Sequence, residues 1–226
     1  MFQGFTDETF EFFMALSFNN NREFFHENHE WYMRAVRRPA LELAAALGES
    51  VRALSPELET RPERVVSRIN RDLRFTNDKT PYRDYIWLAF RRPREDRKTT
   101  LGAFFDLSCS GASFGMGFYQ ENRPLMNGLR RRLTLDPQGF CEVLSSAPGF
   151  TAHVDHFKRK AAPAELPEPL RPWYLARSFY FDRDIKDFTL IKSPALAQEI
   201  VRGYTELAPL FAYFDSIAPE EDPAGF

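Results

Sequence analysis

Cysteine and histidine are scarce, and long apolar runs are missing from these 226 residues. The two cysteines, Cys109 and Cys141, stand apart without metal-ligand spacing. They read as reduced thiols inside a cytoplasmic protein, not as a disulfide framework or a thiolate zinc site. No stretch approaches the roughly 18 apolar residues of a membrane span, so no membrane partner is expected. The first residues carry Asp7 and Glu8 and no basic cluster, which does not suit a signal peptide. A strong charge excess is also lacking. Thirty Lys and Arg stand against 32 Asp and Glu, a net charge of −2, so nothing drives the whole chain towards nucleic acid. The phosphate-binding Walker loop, the dinucleotide fingerprint and the Gly-x-Ser-x-Gly elbow are absent as well.

The four histidines invite a metal reading and do not sustain it. His26 and His29 are three apart on a predicted helix, and His153, Asp155 and His156 lie together further on. His29 falls on the apolar stripe of its helix with His26 to the side of it, so one face need not present both. The reading is no metal and no cofactor.

What the chain has in abundance is apolar bulk: 43% hydrophobic residues, with 23 phenylalanines. That is enough for a sizeable core in a single domain. Thr6 is placed as the N-cap of a short helix with Phe10, Phe13, Met14 and Leu16 inward, ending near Asn19 to Asn21. From Arg22 onwards Phe25, His29, Tyr32, Val36, Ala40, Leu43 and Leu47 step by three or four, which is helical spacing. Pro39 either kinks that helix or opens a second one. Val65 to Phe75 alternates and is expected as a strand. Tyr85 to Phe90 is apolar on both faces and is expected as a strand covered on both sides. Arg91 to Lys98 reads as a charged connector. Leu101 to Cys109 and Ser113 to Gln120 flank a hairpin turn, with Gly115 and Gly117 suited to large Phe neighbours or to another backbone close by.

Pro124 to Leu133 is expected helical, with Arg130, Arg131 and Arg132 as a solvated face. A short helix is expected over Gln138 to Leu144, a strand over His153 to Lys158, and a proline-rich surface excursion over Ala161 to Pro172. Two strand pieces follow, Ser178 to Phe181 and Phe188 to Ile191. A final helix behind Ser193 and Pro194 buries Leu196, Ile200, Tyr204, Leu207, Phe211 and Phe214. The fold class is α+β: N-terminal helices over about 6–54, a mainly antiparallel sheet over about 64–120, and a helical and stranded remainder over about 123–217.

One stretch escapes any simple pattern. Arg68-Ile-Asn-Arg-Asp-Leu-Arg-Phe-Thr-Asn-Asp-Lys-Thr-Pro-Tyr-Arg83 belongs to a segment, Arg61 to Tyr85, with a charge of +3 on a remainder of −5. Arg71 shares its predicted face with Ile69 and Leu73, so its guanidinium must be paired or must meet an anion. Two readings stay open. In the first, a small anionic or phosphorylated ligand is bound by Arg68, Arg71, Arg74, Lys79 and Arg83, with Asp72 or Asp78 as acid/base and Tyr82 as an orienting hydroxyl. In the second, the aspartates and arginines form a structural salt-bridge network in a non-enzymatic interaction protein whose partner is not identified. A base-stacking surface for nucleic acid is not expected, because the phenylalanines follow core periodicities.

The same sixteen residues closely resemble the signature of the family catalogued as domain of unknown function 2461, approximately Arg-Ile-x-Arg-Asp-x-Arg-Phe-Ser-x-Asp-Lys-x-Pro-Tyr-Lys. Asn19-Asn20 followed by Arg22 to Phe25 is similar to that family's first helix entry, and the segments at 125–133 and 192–214 match its layout. The chain departs from it at His29, where the family usually carries Lys, and near Trp31, where it has Arg or Lys. The resemblance implies a soluble single domain and brings no activity with it.

Overall fold

The computed structural model describes residues 1–74, 78–95 and 99–220. Phe75, Thr76 and Asn77 of the motif, and residues 96–98 of the charged connector, lie outside them.

The chain begins with helix α1 (Asp7–Phe18), which buries Phe12, Phe13 and Leu16. Met14, placed inward by the periodicity, is 50% exposed, and Phe12 takes the inner position instead. Asn21 caps α2 (Arg22–Glu27) by accepting from the Phe24 amide. α3 (His29–Tyr32) follows, then a π turn over Met33–Arg37 and α4 (Arg38–Leu54). A proline ring in a helix clashes with the carbonyl four residues back. The chain widens into the π turn where that clash would fall, and Pro39 sits in the first turn of α4. His29, expected on the buried stripe, is exposed and meets Phe25 edge-on at 5.7 Å.

Over its described part, Val65 to Arg74, the expected strand is not regular. Its start is a one-turn helix, α5 (Pro62–Val65). The rest to Arg74 is extended, with isolated bridges from Val66 to Leu88 and from Asn70 to Tyr82. Its backbone bonds are spaced out: the Ser67 amide donates to the Trp87 carbonyl, Arg71 to Pro81, and Arg83 back to Ile69. The alternation nevertheless sets the burial, with Ser67 and Ile69 buried and Arg68, Asn70 and Asp72 exposed.

Strands β1 (Tyr85–Arg91), β2 (Gly102–Ser108), β3 (Gly111–Phe118), β4 (Thr151–His156) and β5 (Ala176–Ile185) form one antiparallel sheet in the order β1-β2-β3-β5-β4. Between β3 and β4 come α6 (Arg123–Leu135) and α7 (Pro137–Ser145); α8 (Arg171–Tyr174) precedes β5. The proline-rich excursion before α8 is anchored, since Leu166 and Leu170 are buried. Arg130 departs from the solvated face expected for its run. It is 7% exposed and donates to the carbonyls of Tyr174 and Ala176 at 2.8 and 2.7 Å, clamping α6 to the entry of β5. Phe188 to Ile191, expected as a strand, is a single helical turn, α9 (Phe188–Ile191). The Asp187 carboxylate caps it by accepting from the amides of Thr189 and Leu190. The last helix, α10 (Ala195–Asp215), packs on α4 and on β3 and buries all six residues expected of it.

Among the described residues the helices cover one face of the sheet only. Ile86, Leu88 and Phe90 of β1 point into the core, while Tyr85, Trp87 and Ala89 stay half-exposed on the other side. The two-sided cover expected for this strand is therefore absent. No helix among the described residues is long and apolar enough to cross a membrane.

Candidate functional site

The extended strip 66–72 and strand β1 are the two banks of an open groove of about 1110 Å³. Among the described residues it is lined by eight arginines (Arg61, Arg64, Arg68, Arg71, Arg83, Arg91, Arg92 and Arg94) against Glu59, Glu63, Asp72 and Glu95. Several of these cations are committed. Glu59 takes Arg61 at 2.5 Å and Arg64 at 3.6 Å, and the Arg61 bonds hold its carboxyl at about 2, far below its ordinary value. Arg92 bridges Glu57 and Asp215, both at 2.6 Å.

The motif divides at the groove. Arg71, half-buried as its alternation requires, pairs with Asp78 and donates to the Tyr82 carbonyl at 3.3 Å. Its Nε is buried and has no hydrogen-bond partner among the described residues. Asp78 also accepts from the Thr80 amide and hydroxyl, which are the main cause of its lowered pKa. Asp72 accepts from Arg74 at 2.8 and 3.0 Å, an exposed pair, and Lys79 donates to the Leu73 carbonyl at 3.3 Å. Tyr82 is buried and stacked on Phe25 at 4.3 Å, while Asn20 brackets its backbone by donating to its carbonyl and accepting from its amide. Of the residues singled out from sequence, Arg68, Arg71, Asp72 and Arg83 thus line the groove; Arg74, Asp78, Lys79 and Tyr82 do not.

Arg68, Arg83 and Arg94 differ from the committed arginines: among the described residues none of them makes an ion pair with a carboxylate, and Arg68 and Arg83 are the two that belong to the motif. Arg83 donates to the Arg68 carbonyl at 2.7 Å, and its guanidinium lies 4.5 Å from the centre of the Trp87 ring. That indole belongs to the open sheet face, which sequence reading missed.

The register shows why that face is hollow. Successive rows across the sheet read Trp87-Asp106-Ser113-Asp184, then Ala89-Phe104-Gly115-Asp182, then Arg91-Gly102-Gly117-Tyr180-His153. Ser113, Gly102, Gly115 and Gly117 keep the floor low, and Trp87, Phe104 and Tyr180 rise around it to leave a half-open hollow of about 570 Å³. Ser113 donates to Asp106 at 2.8 Å, His153 Nε2 lies 2.8 Å from Asp182, and the His153 ring stacks on Tyr180 at 4.4 Å. The one available signal was the pair of glycines at alternate positions, read as room for large Phe neighbours or for another backbone close by; the second is what the β5 backbone provides.

Of the histidine cluster, His153 bonds to Asp182 while Asp155 pairs with Arg177. The described residues hold no group of three or more His, Cys, Asp or Glu side chains suited to a metal ion. The conserved hypothetical protein family DUF2461 matches residues 8–213 of the chain. No curated protein matches it.

Proposed function

The chain belongs to that family, and we propose that it binds a small anionic ligand, one carrying a phosphate or carboxylate group, in the arginine groove. The observation that carries the reading is the pair Arg68 and Arg83: both line the groove, the Arg83 guanidinium donates to the Arg68 backbone carbonyl, and neither has a carboxylate partner among the described residues. A planar guanidinium meets phosphate or carboxylate with two parallel charge-assisted bonds, which water matches poorly once the groove is filled. The other motif charges serve as the frame. Asp78 holds Arg71 and Asp72 holds Arg74, while buried Tyr82 anchors the strand opposite Ile69 to Arg71. In this reading Asp72, Asp78 and Tyr82 act by fixing the strip that carries Arg68, and the salt-bridge network and the ligand site are two halves of one motif. The unbridged thiols of Cys109 and Cys141 support a reducing, cytoplasmic setting for this binding.

Thermal shifts with inorganic phosphate, pyrophosphate, citrate and a nucleoside monophosphate test it. A ligand at a hundred times its Kd adds about 2.7 kcal/mol to the stability. The wild type and Arg74→Ala are expected to show such a shift with at least one of these anions, and the Arg68→Ala/Arg83→Ala double variant to show none relative to its own baseline. A double variant that keeps the shift, or a wild type that shifts with none of the four, overturns the proposal.

A further inference from the structure

We infer that the hollow on the open face of the sheet is a second binding site, which takes the ammonium group of a small organic cation between Asp106 and Asp182 and the rings of Trp87, Phe104 and Tyr180. It adjoins the groove and shares Trp87, Ala89 and Arg91 with it, but its remaining charged residues are acidic where the groove's are mostly basic. Two aspartates line it, and the single arginine among its lining residues, Arg91, stands two rows from Asp106 across the β1–β2 register. Each aspartate uses one oxygen internally, Asp106 towards Ser113 and Asp182 towards His153. The second oxygen of each has no hydrogen-bond partner among the described residues. A positive charge fits those two oxygens, through N–H donation where the ammonium carries hydrogen and through charge alone where it is quaternary; an anion is repelled by them, and an uncharged apolar guest would leave them desolvated and unpaired.

The walls favour the same guest. Aromatic faces attract cations through their quadrupole. Trp87 already does so on this molecule, with the Arg83 guanidinium 4.5 Å from its centre. Phe104 and Tyr180 stand edge to face at 6.3 Å, and the stack on His153 fixes the Tyr180 ring. The volume of the half-open hollow, about 570 Å³, is in the range of small-molecule sites.

The local field points the same way. The Asp106 carboxyl is pushed up, first by burial, against the Ser113 hydrogen bond, and then by Asp182 and Asp184. Lys186 opposes this from a distance and is itself paired with Asp184 at 3.2 Å. A bound ammonium group would relieve that excess negative charge. Binding is therefore expected to strengthen as pH rises through the Asp106 titration, since the ionised form is the one that receives the cation.

Calorimetric titration with ethanolamine and choline, alongside the neutral choline isostere 3,3-dimethylbutan-1-ol, tests the site without reference to the anion groove. At least one ammonium probe is expected to saturate the wild type, with the isostere at least tenfold weaker. Asp106→Asn, which keeps the shape, is expected to weaken the ammonium probe at least tenfold and to remove its pH dependence. If that variant does not fold, Tyr180→Leu reads the same interaction from the aromatic side, with the same expected loss. The proposal is overturned if neither ammonium probe saturates, if the isostere binds equally well, or if the folded variant binds like the wild type. Because phosphate is absent from these titrations, their failure leaves the anion reading standing, and the reverse holds too.

Discussion

Glu59 shows how a single carboxylate can set the charge of the groove. It accepts three bonds from Arg61, two of them from the guanidinium, and draws in Arg64. Two of the groove's cations thereby share one counter-charge, while Arg68, Arg83 and Arg94 have no carboxylate partner among the described residues. The Arg61 side-chain bond is the largest cause of a pKa lowered from near 4.5 to about 2. For an acid whose folded value is depressed, the stabilisation is present above its ordinary value and disappears as pH falls through the folded one. Glu59→Gln is therefore expected to cost about 1 kcal/mol at neutral pH, in keeping with a partly exposed ion pair. In urea melts between pH 7 and pH 2, the gap to wild type should stay constant down to about pH 4.5 and close towards about pH 2. A gap that does not change with pH would mean that Glu59 acts through shape and backbone contacts instead of charge. The same substitution frees Arg61 and Arg64 and should tighten phosphate binding in the groove.

At the scale of elements, β3 is where sequence and space are most closely matched. Gly115 and Gly117 lie beside β5, and a Cβ on either would run into that strand's backbone: the Phe181 carbonyl for Gly115, and Tyr180 for Gly117, which also has φ +139. Gly115→Ala is thus an overpacking change at a strand junction, with an expected cost of about 1–3 kcal/mol. Hydrogen exchange should show the loss at the β3–β5 ladder first; unchanged protection there would mean that the strands can part without cost. This element also shows what could be read in advance. The alternation of Ser67 to Arg74 gave the right burial because the strip lies on the sheet edge, yet it did not give a strand, because its bonds to 81–87 are too sparse. Tyr85 to Phe90 misled for another reason: Tyr85 and Trp87 have the composition of core residues, and only the register across to Asp106 and Asp182 shows that they line a hollow. Phe188 to Ile191 looked like a strand because the Asp187 cap, a local hydrogen bond, overrides the preference of apolar residues in a four-residue run.

Across the whole molecule, one apolar cluster runs from Phe2 to Ile217 and includes the inner faces of the N-terminal helices, the sheet and α10. α10 joins them. It packs on α4, its Tyr204 hydroxyl donates to the Phe104 carbonyl at 2.9 Å, and its Phe214 sits among Phe140, Trp173, Phe179 and Phe181. The groove and the hollow lie on the side of the sheet that this cluster leaves uncovered, so their shape depends on a core they do not belong to. A continuous core implies that damage at one end is felt at the other. Phe214→Ala removes a fully buried ring and is expected to cost about 3–5 kcal/mol. If the cluster is one cooperative unit, peptides from α4 and from β5 should lose the same free energy of hydrogen-exchange protection, although the rings that Phe214 meets in β5, Phe179 and Phe181, have no aromatic counterpart in α4. Protection of α4 that stayed at the wild-type level would divide the chain into two folding units. It would also confine the frame behind Arg68 and Arg83 to the N-terminal one, because Arg37 of that helical region donates to the Ser67 carbonyl at the head of the strip.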